Sequence, residues 1–315
     1  MQTTAESREF EIGYLAGLVD GEGCIFVSHR KPNDRTYPRL RIFSTSKPIV
    51  DGAGRIMGVN PYPRRDHGKL VGWYVSAEGG KTVEVVHNIA SHLTDPSKRC
   101  RAFTILKVFD TVVSIQGRHP SAEVFAHCPP PVRLRAQEVP NSSGSLDSQG
   151  AREDTEEISK MFTQQLVGVS SSPEISEIPA LDLGWLCGMV DGEGYIHVRY
   201  RSDRDSTYPR LRLFVKTRTI IDAVARLMGV NPYARRSRGK VSGWYASVSH
   251  RQALRALRLI GPHLLDPSKK CRAQKILEAF GEVGTIHSRL DTFGFFNDCP
   301  PPSRIRKSGR VISGA

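Results

Sequence analysis

Long apolar runs are missing from this 315-residue chain. No stretch of about 18 or more apolar residues occurs, and no basic amphipathic segment is long enough to lie on a bilayer, so membrane binding is set aside. The opening residues, MQTTAESREFEIG, lack the basic start and apolar stretch of a secretory signal and carry acids that a transit peptide avoids. The expectation is an intracellular protein that is not secreted, cytoplasmic or associated with a nucleoid, or organellar if an organelle encodes it. Cysteines are few and scattered. Cys24, Cys100, Cys128, Cys187, Cys271 and Cys299 form no C-x-x-C pair, and without a secretory context they are expected as reduced thiols. Acidic residues are also short: 45 Lys and Arg against 32 Asp and Glu leave a net charge of +13. Such an excess points to a polyanionic partner, nucleic acid first, through counterion release and long-range attraction. At 39% hydrophobic residues there is apolar material for one large domain or two smaller cores.

What is present is one unit written twice. YLAGLVDGEGCI from Tyr14 returns as WLCGMVDGEGYI from Trp185, and TYPRLRIF from Thr36 as TYPRLRLF from Thr207. MGVNPYPRR from Met57, HLTDPSKRCRA from His92 and CPPP from Cys128 recur from Met228, His263 and Cys299, always 171 residues on. A constant offset means the blocks stay in register with no insertion. Each copy opens with a short apolar helix, near 11–19 and 182–190, where glycines are expected to end it. Alternating strands follow over 23–30 and 37–45, then a helix over 48–57 stopped by Gly58. A hairpin comes next, 62–66 and 69–76 around His67 and Gly68, and two helices close the unit, the second capped by Asp95 with Pro96 at its first position. The domain reading is a first repeat over 1–131, a linker over 132–180, a second repeat over 181–302 and a basic tail over 303–315. The linker is rich in Ser, Glu and Pro and carries −4, leaving +17 on the rest of the chain. As a flexible coil its 49 residues would reach on the order of 35–40 Å.

At 15–23 and 186–194 the sequence, spelled LAGLVDGEG and LCGMVDGEG, resembles the signature of the LAGLIDADG homing endonucleases. The element order after each motif is similar to that family as well, so the resemblance covers nearly all of 11–131 and 182–302. It implies an α+β fold of two αββαββα repeats related by a pseudo-twofold axis, a monomeric saddle whose antiparallel sheets face double-stranded DNA. It further implies a site-specific endonuclease that hydrolyses one phosphodiester on each strand of a long asymmetric target, serving the mobility of an intron or free-standing element.

The residues themselves support that reading. Ala16, Gly17 and Gly21 in one motif and Cys187, Gly188 and Gly192 in the other are small, which suits two helices in close contact. Their C-termini would then lie side by side and carry Glu22 and Glu193 with them. Each acid would meet the negative end of its helix and a like charge opposite, a conflict that a divalent cation relieves. Glu22, Glu193 and the carbonyls of Gly21 and Gly192 are the expected ligands of magnesium or another divalent ion such as manganese; calcium is expected to occupy the site without supporting cleavage. In the family the acid at the eighth motif position is the metal ligand, and it maps onto these two glutamates. Asp20 and Asp191 read better as caps on the turn below, with direct metal ligation the alternative. Lys98 and Lys269 sit in the first turn of their helices, where a cation opposes the dipole, so either an anion lies nearby or they are solvated surface lysines. The resemblance places such a lysine beside the scissile phosphate. Ser46 and Thr217 match, within one residue, a polar position that the family uses to order water.

Alternation sorts the strands into a core face and a basic face. Ile25 and Val27 oppose Phe26, Ser28 and Arg30; Ile196, Val198 and Tyr200 oppose His197, Arg199 and Arg201. Arg39, Arg41, Arg210, Arg212 and Lys216 extend the outer face, and Arg64, Arg65, His67, Lys69, Arg235, Arg236, Arg238 and Lys240 do so from the hairpins. A twisted ribbon of this kind fits the major groove, where arginine can take two acceptors of guanine. An entire face of cations without mixed signs is unlike an ordinary solvated surface. Phe26 against His197, Ser28 against Arg199 and His67 against Arg238 make the halves unequal, which predicts an asymmetric site with about six to eight base pairs read by each half. Trp73, Tyr74, Trp244 and Tyr245 suit hairpin packing or base stacking. His92 and His263 lack a second ligand at zinc spacing. An RNA maturase or non-cleaving DNA-binding protein on the same fold is the alternative, favoured by loss of an acid, yet both acids are present. An intein remnant would need a splicing Cys or Asn junction that is not visible.

Overall fold

A computed structural model describes residues 4–31, 34–130, 178–237, 239–292 and 294–301. Arg238 of the expected basic face, most of the expected linker and the whole tail over 303–315 lie outside the described residues.

Helix α1 (Thr4–Glu22) runs into strands β1 (Gly23–Arg30) and β2 (Arg35–Ser44), followed by α2 (Lys47–Met57) and the hairpin β3 (Tyr62–Asp66) and β4 (Lys69–Glu78). Helices α3 (Gly80–Ile89) and α4 (Pro96–Phe109), strand β5 (Ile115–Gln116) and the short α5 (Ser121–Val124) complete the first half. The second half repeats the order: α6 (Ala180–Glu193), β6 (Gly194–Arg201), β7 (Ser206–Val215), α7 (Arg218–Met228), β8 (Tyr233–Ser237), β9 (Lys240–Ser249), α8 (His250–Ile260) and α9 (Pro267–Phe280). The sheets are antiparallel, ordered β1-β2-β4-β3 with β5 on β2, and β6-β7-β9-β8. The expected α+β fold of two like units is the one observed.

Register is the same in both sheets, Gly23 opposite Ile42 and Gly194 opposite Leu213. Leu40, Ile42, Val75 and Ala77 therefore share the buried face with Ile25 and Val27, as Leu211, Leu213, Ala246 and Val248 do with Ile196 and Val198. Tyr200 falls on that face by alternation but remains half-buried at the strand's far end. The stop at Gly58 holds, with a left-handed φ of 64° and its N–H bonded back to α2. So does the hairpin turn, in which His67 and Gly68 both take positive φ, the requirement of a two-residue turn matched to strand twist.

Two expectations are corrected. The central helices do not end at their glycines: α1 continues through Gly21 to Glu22 and α6 through Gly192 to Glu193, each strand starting at the next residue. Residues 13–20 and 183–191 are buried on every side, so tertiary packing rather than propensity holds glycine in helix. The cysteines are not all reduced thiols either. Cys100 bonds Cys128 and Cys271 bonds Cys299, each pair 28 residues apart, leaving Cys24 exposed and Cys187 buried as free thiols. The expectation of thiols rests on the lack of a C-x-x-C pair and of a secretory context; folding instead lays the segment before each CPPP against the last long helix of its own half.

A loop of 28 residues makes each crosslink worth about 3–4 kcal/mol in the chain-entropy account. Thiol titration of the unfolded, unreduced chain should find two reactive groups, and reduction should lower the denaturation midpoint. Six titratable thiols would contradict the pairing.

Candidate active site and nucleic-acid interface

Helices α1 and α6 touch backbone to backbone. A Cβ on Gly13 or Gly17 would lie 1.9 or 2.2 Å from the carbonyl oxygen of Leu181 or Trp185, and on Gly184 or Gly188 2.1 or 2.3 Å from that of Phe10 or Tyr14. Only glycine fits at such separations. One turn further on the same stripe, Gly21 faces the Glu193 side chain, whose Cγ would lie 3.6 Å from an added Cβ, and Gly192 faces Glu22 at 3.4 Å. The two acids thus cross the seam, each lying over the other helix's last glycine. Gly13 and Gly184 escaped the sequence reading, although their four-residue spacing from Gly17 and Gly188 was a visible signal.

Glu22 keeps one side open to solvent, yet its carboxyl is pushed up to about 7, first by burial against the surrounding protein and then by the charge of Glu193. Lys269 and Lys98 oppose that rise without cancelling it.

Each lysine is held from the opposite direction to the one its own helix suggests. The Lys98 ammonium donates to the carbonyls of Val19 (2.8 Å) and Asp20 (2.6 Å), and Lys269 to those of Val190 (2.8 Å) and Asp191 (2.5 Å). A cation misplaced at the start of α4 is therefore well placed at the end of α1, where free carbonyls gather negative charge. The nearby anionic group that the sequence called for includes this helix end. Burial pushes both ammonium groups below the usual lysine range.

Asp20 and Asp191 stand below the seam as expected, with their oxygens occupied. Asp20 accepts from the Thr94 and Asp95 amides (2.8 and 3.0 Å) and, across the seam, from the Trp185 indole (2.9 Å). Asp191 accepts from the Leu265 and Asp266 amides (2.8 and 3.2 Å) and from the Tyr14 hydroxyl (2.7 Å). Tyr14 and Trp185 are equivalent positions, so one bond is exchanged in each direction. Burial raises both aspartates while these donors pull them back. Asp95 and Asp266 then cap α4 and α9 by accepting the Lys98 and Lys269 amides at 2.9 Å. Chain direction, cap and lysine form one closed circuit in each half.

Two clefts flank the acids. One of about 450 Å³ contains Glu22, Glu193, Ser46, Ser268, Lys269 and Arg272; another of about 330 Å³ contains Gly21, Glu193, Lys98, Lys216 and Thr217. Thr217 donates to Asp95 across the halves (3.1 Å), whereas the buried Ser46 and Ser268 hydroxyls have no partner among the described residues. Arg101 and Arg272 were missed. Each donates to a β1 or β6 carbonyl, of Ile25 (3.1 Å) or Ile196 (3.3 Å), and stacks over Phe125 or Phe296, leaving its Nε unpaired. Their recurrence three residues after each lysine was the available clue.

The outer sheet faces carry the expected cations, with one departure. Glu78 lies among them and pairs with both Arg30 and Arg39, so the first face is of mixed sign. In the second half Ser249 takes that place, and Arg210 bonds the Ser247 hydroxyl (2.7 Å) and the Tyr233 hydroxyl (3.2 Å). Arg41 sits between the Phe26 and Tyr74 rings, Arg212 over Tyr245, and Arg64 and Arg235 over Phe43 and Phe214. His197 is pushed down to about 4 by burial and by Arg212 and Arg210, so its imidazole is neutral at physiological pH. Arg65 and Arg236 brace the hairpin turns by donating to Gly68 and Gly239 carbonyls; His67, Lys69, Arg199, Lys216 and Lys240 are exposed. Ser28 is half-buried with an unpaired hydroxyl, and Arg201 pairs with Asp203. The tryptophans serve the hairpins: Lys47 lies over Trp73 and Arg218 over Trp244, and both rings pack against the core. His263 packs on Phe10.

No family model matches the sequence, and no curated protein does. Among solved structures, the chain is similar in fold to the LAGLIDADG homing endonuclease I-GzeII in complex with its DNA target, at 14% identity and a TM-score of 0.49 over 85% of this chain and 88% of that one. The LAGLIDADG meganuclease I-CpaMI bound to uncleaved DNA matches at 15% identity, TM-score 0.48, over 85% and 90%. I-SmaMI bound to uncleaved DNA in the presence of calcium ions matches at 12% and 0.47, over 85% and 89%.

Gly188→Ala should cost about 1–3 kcal/mol of stability, because its methyl meets a backbone carbonyl that cannot move without parting the helices. An unchanged urea midpoint would contradict the contact.

Proposed function

We propose that this chain is a monomeric, site-specific double-strand DNA endonuclease that cuts one phosphodiester on each strand with a divalent cation. The observation that carries the reading is the crossing of Glu22 and Glu193 at the seam between two outward basic sheets. Two carboxylates forced together at helix C-termini favour a cation between them; burial first, and the Glu193 charge second, hold the Glu22 carboxyl up to about 7. Glu22, Glu193 and the carbonyls of Gly21 and Gly192 are the ligands we assign. Bound there, magnesium or manganese supplies Lewis acidity and a water of lowered pKa.

The chain's own groups do the rest. Lys98 and Lys269 pin the helix ends that present the acids and add positive charge beside them. Asp20 and Asp191, their oxygens filled, act as positioning residues. Arg39, Arg41, Arg210, Arg212 and neutral His197 offer donors to base edges, and the exposed hairpin cations hold phosphates. The symmetric acids give each strand its own carboxylate, while unequal faces favour an asymmetric target.

A randomised duplex pool incubated with the protein and magnesium should yield linear products from one sequence. Glu22→Gln or Glu193→Gln should slow cutting at least about a hundredfold, several kcal/mol in the barrier, without releasing the DNA. Retained binding with no cutting by the unmutated chain would turn the assignment to a non-cleaving DNA-binding protein.

Cation affinity should depend on pH with a defined sign. A Glu22 carboxyl that holds its proton up to about 7 must release it to bind metal, so calcium affinity measured by calorimetry rises through that pH and levels above it. The metal-free protein behaves oppositely: a raised acid lends stability below its unfolded pKa and loses it as pH climbs through the folded one. Glu22→Gln should thus raise the thermal midpoint at pH 8 and have little effect at pH 5. Flat calcium affinity between pH 6 and 8 would refute this account of the pair.

A further inference from the structure

The second half holds a basic cleft that the two active-site clefts do not reach. It measures about 730 Å³ and lies between the end of β6, the turn after it and the first turn of α8, with Arg201, Arg204, Ser249, His250, Arg251 and His287 in its wall. β6 begins beside Glu193 and has eight residues, so Arg201 stands roughly 23 Å outward from the seam at about 3.3 Å per residue. Arg201 and Ser249 share the outer face with His197 and Arg210, which makes the cleft a continuation of the basic sheet beyond its last strand residues.

Its charge is only partly matched. Asp203 pairs with Arg201 and lies 3.9 Å from Arg204, while Arg251 is exposed and has no ion-pair partner among the described residues. His250 is fixed with φ at 55°, its ring stacked on Tyr208 and its Nδ1 2.8 Å from the Thr285 hydroxyl, and burial together with Arg201 and Arg204 pushes its imidazole below the usual histidine range. The equivalent positions in the first half include Arg30, Arg35, Glu78, Gly80 and Lys81. There Arg30 meets Glu78, which also holds Arg39, and Lys81 meets Glu84; here three arginines face hydroxyl and imidazole groups, with Asp203 beside two of them. Both outer ends are basic, and they differ in how many of their cations an acid holds.

Resting on the DNA-binding reading above, we propose that this cleft grips the sugar–phosphate backbone of the duplex just outside the second half-site, more firmly than the matching end of the first half, where glutamates hold two of three cations. About 23 Å corresponds to roughly seven base pairs of B-form rise, so the phosphates held are those beyond the bases the sheet can reach. The ligand is a phosphodiester anion with guanidinium donors around it. Its recognition carries no sequence preference; it lengthens the footprint beyond the half-site.

The test reads binding, so a chain that fails to cut leaves it decidable. A duplex recovered by binding selection is trimmed to the half-sites, then extended by six base pairs on one side or the other, and affinities are measured by fluorescence anisotropy in calcium. One extension should tighten binding several-fold and steepen the salt dependence by about one to two units in log–log slope, near 0.9 per phosphate; the other should gain less on both counts. Arg204→Ser with Arg251→Ser, both at exposed positions, should abolish that gain and leave the trimmed duplex bound as before. Equal gains on both sides, or equal weakening of trimmed and extended duplexes, would overturn the proposal. Inorganic phosphate binding to the unmutated chain but not to the double variant, with no gain from extension, would assign the cleft to a free anion and overturn it as well. Absence of any duplex binding would sink this inference and the DNA reading together.

Discussion

The contact between α1 and α6 decides where everything else can be. Carbonyl oxygens of one helix lie where a Cβ of the other would stand, over two turns and from both sides. At that distance the axes cannot slide without collision, so the pseudo-twofold relation between halves is enforced sterically as well as by apolar burial. Cα–H groups of glycine facing carbonyls add weak attraction to that exclusion. The Tyr14–Asp191 and Trp185–Asp20 bonds lock the same seam with directional contacts, each adding a donor from the other half to an aspartate that already accepts two amides of its own.

A rigid seam makes an unfavourable charge arrangement tolerable. Glu22 and Glu193 would separate if their helices could rotate; held by glycine contacts one and two turns earlier, they cannot. Lys98 and Lys269 offset part of the cost but spend their hydrogen bonds on main-chain carbonyls rather than on the acids.

Much of this was legible because the chain is its own alignment. Element order, strand register, the α4 and α9 caps and the convergence of the two acids followed from a constant offset, from alternation and from capping chemistry. Less legible features depend on contacts that are remote in sequence. Lysines at helix starts read as misfits until the neighbouring helix end is known, 78 and 79 residues away. Glycine reads as a helix stop unless packing over its missing side chain is foreseen, and Gly13 and Gly184 lie outside the motif altogether. The disulfides join a helix to a later coil segment, a proximity that periodicity does not encode. Glu78 lies two residues beyond the expected end of its strand at 76, so the one acid that neutralises two cations fell outside the face read from alternation.

Symmetry and its loss divide the molecule by distance from the seam. Near the axis the halves carry matched glycines, acids, lysines, aspartates and arginines, where α1 and α6 pack on one another. Across the sheets the match weakens: Phe26 faces the role of His197, and Ser28 that of Arg199. At the outer end it changes again, with Glu78, Gly79 and Gly80 against Ser249, His250 and Arg251 beside the matched Arg30 and Arg201. On the function proposed above, chemistry common to both strands would constrain the centre and leave the periphery free to diverge, so that direction would come from the flanks while the centre is indifferent to it.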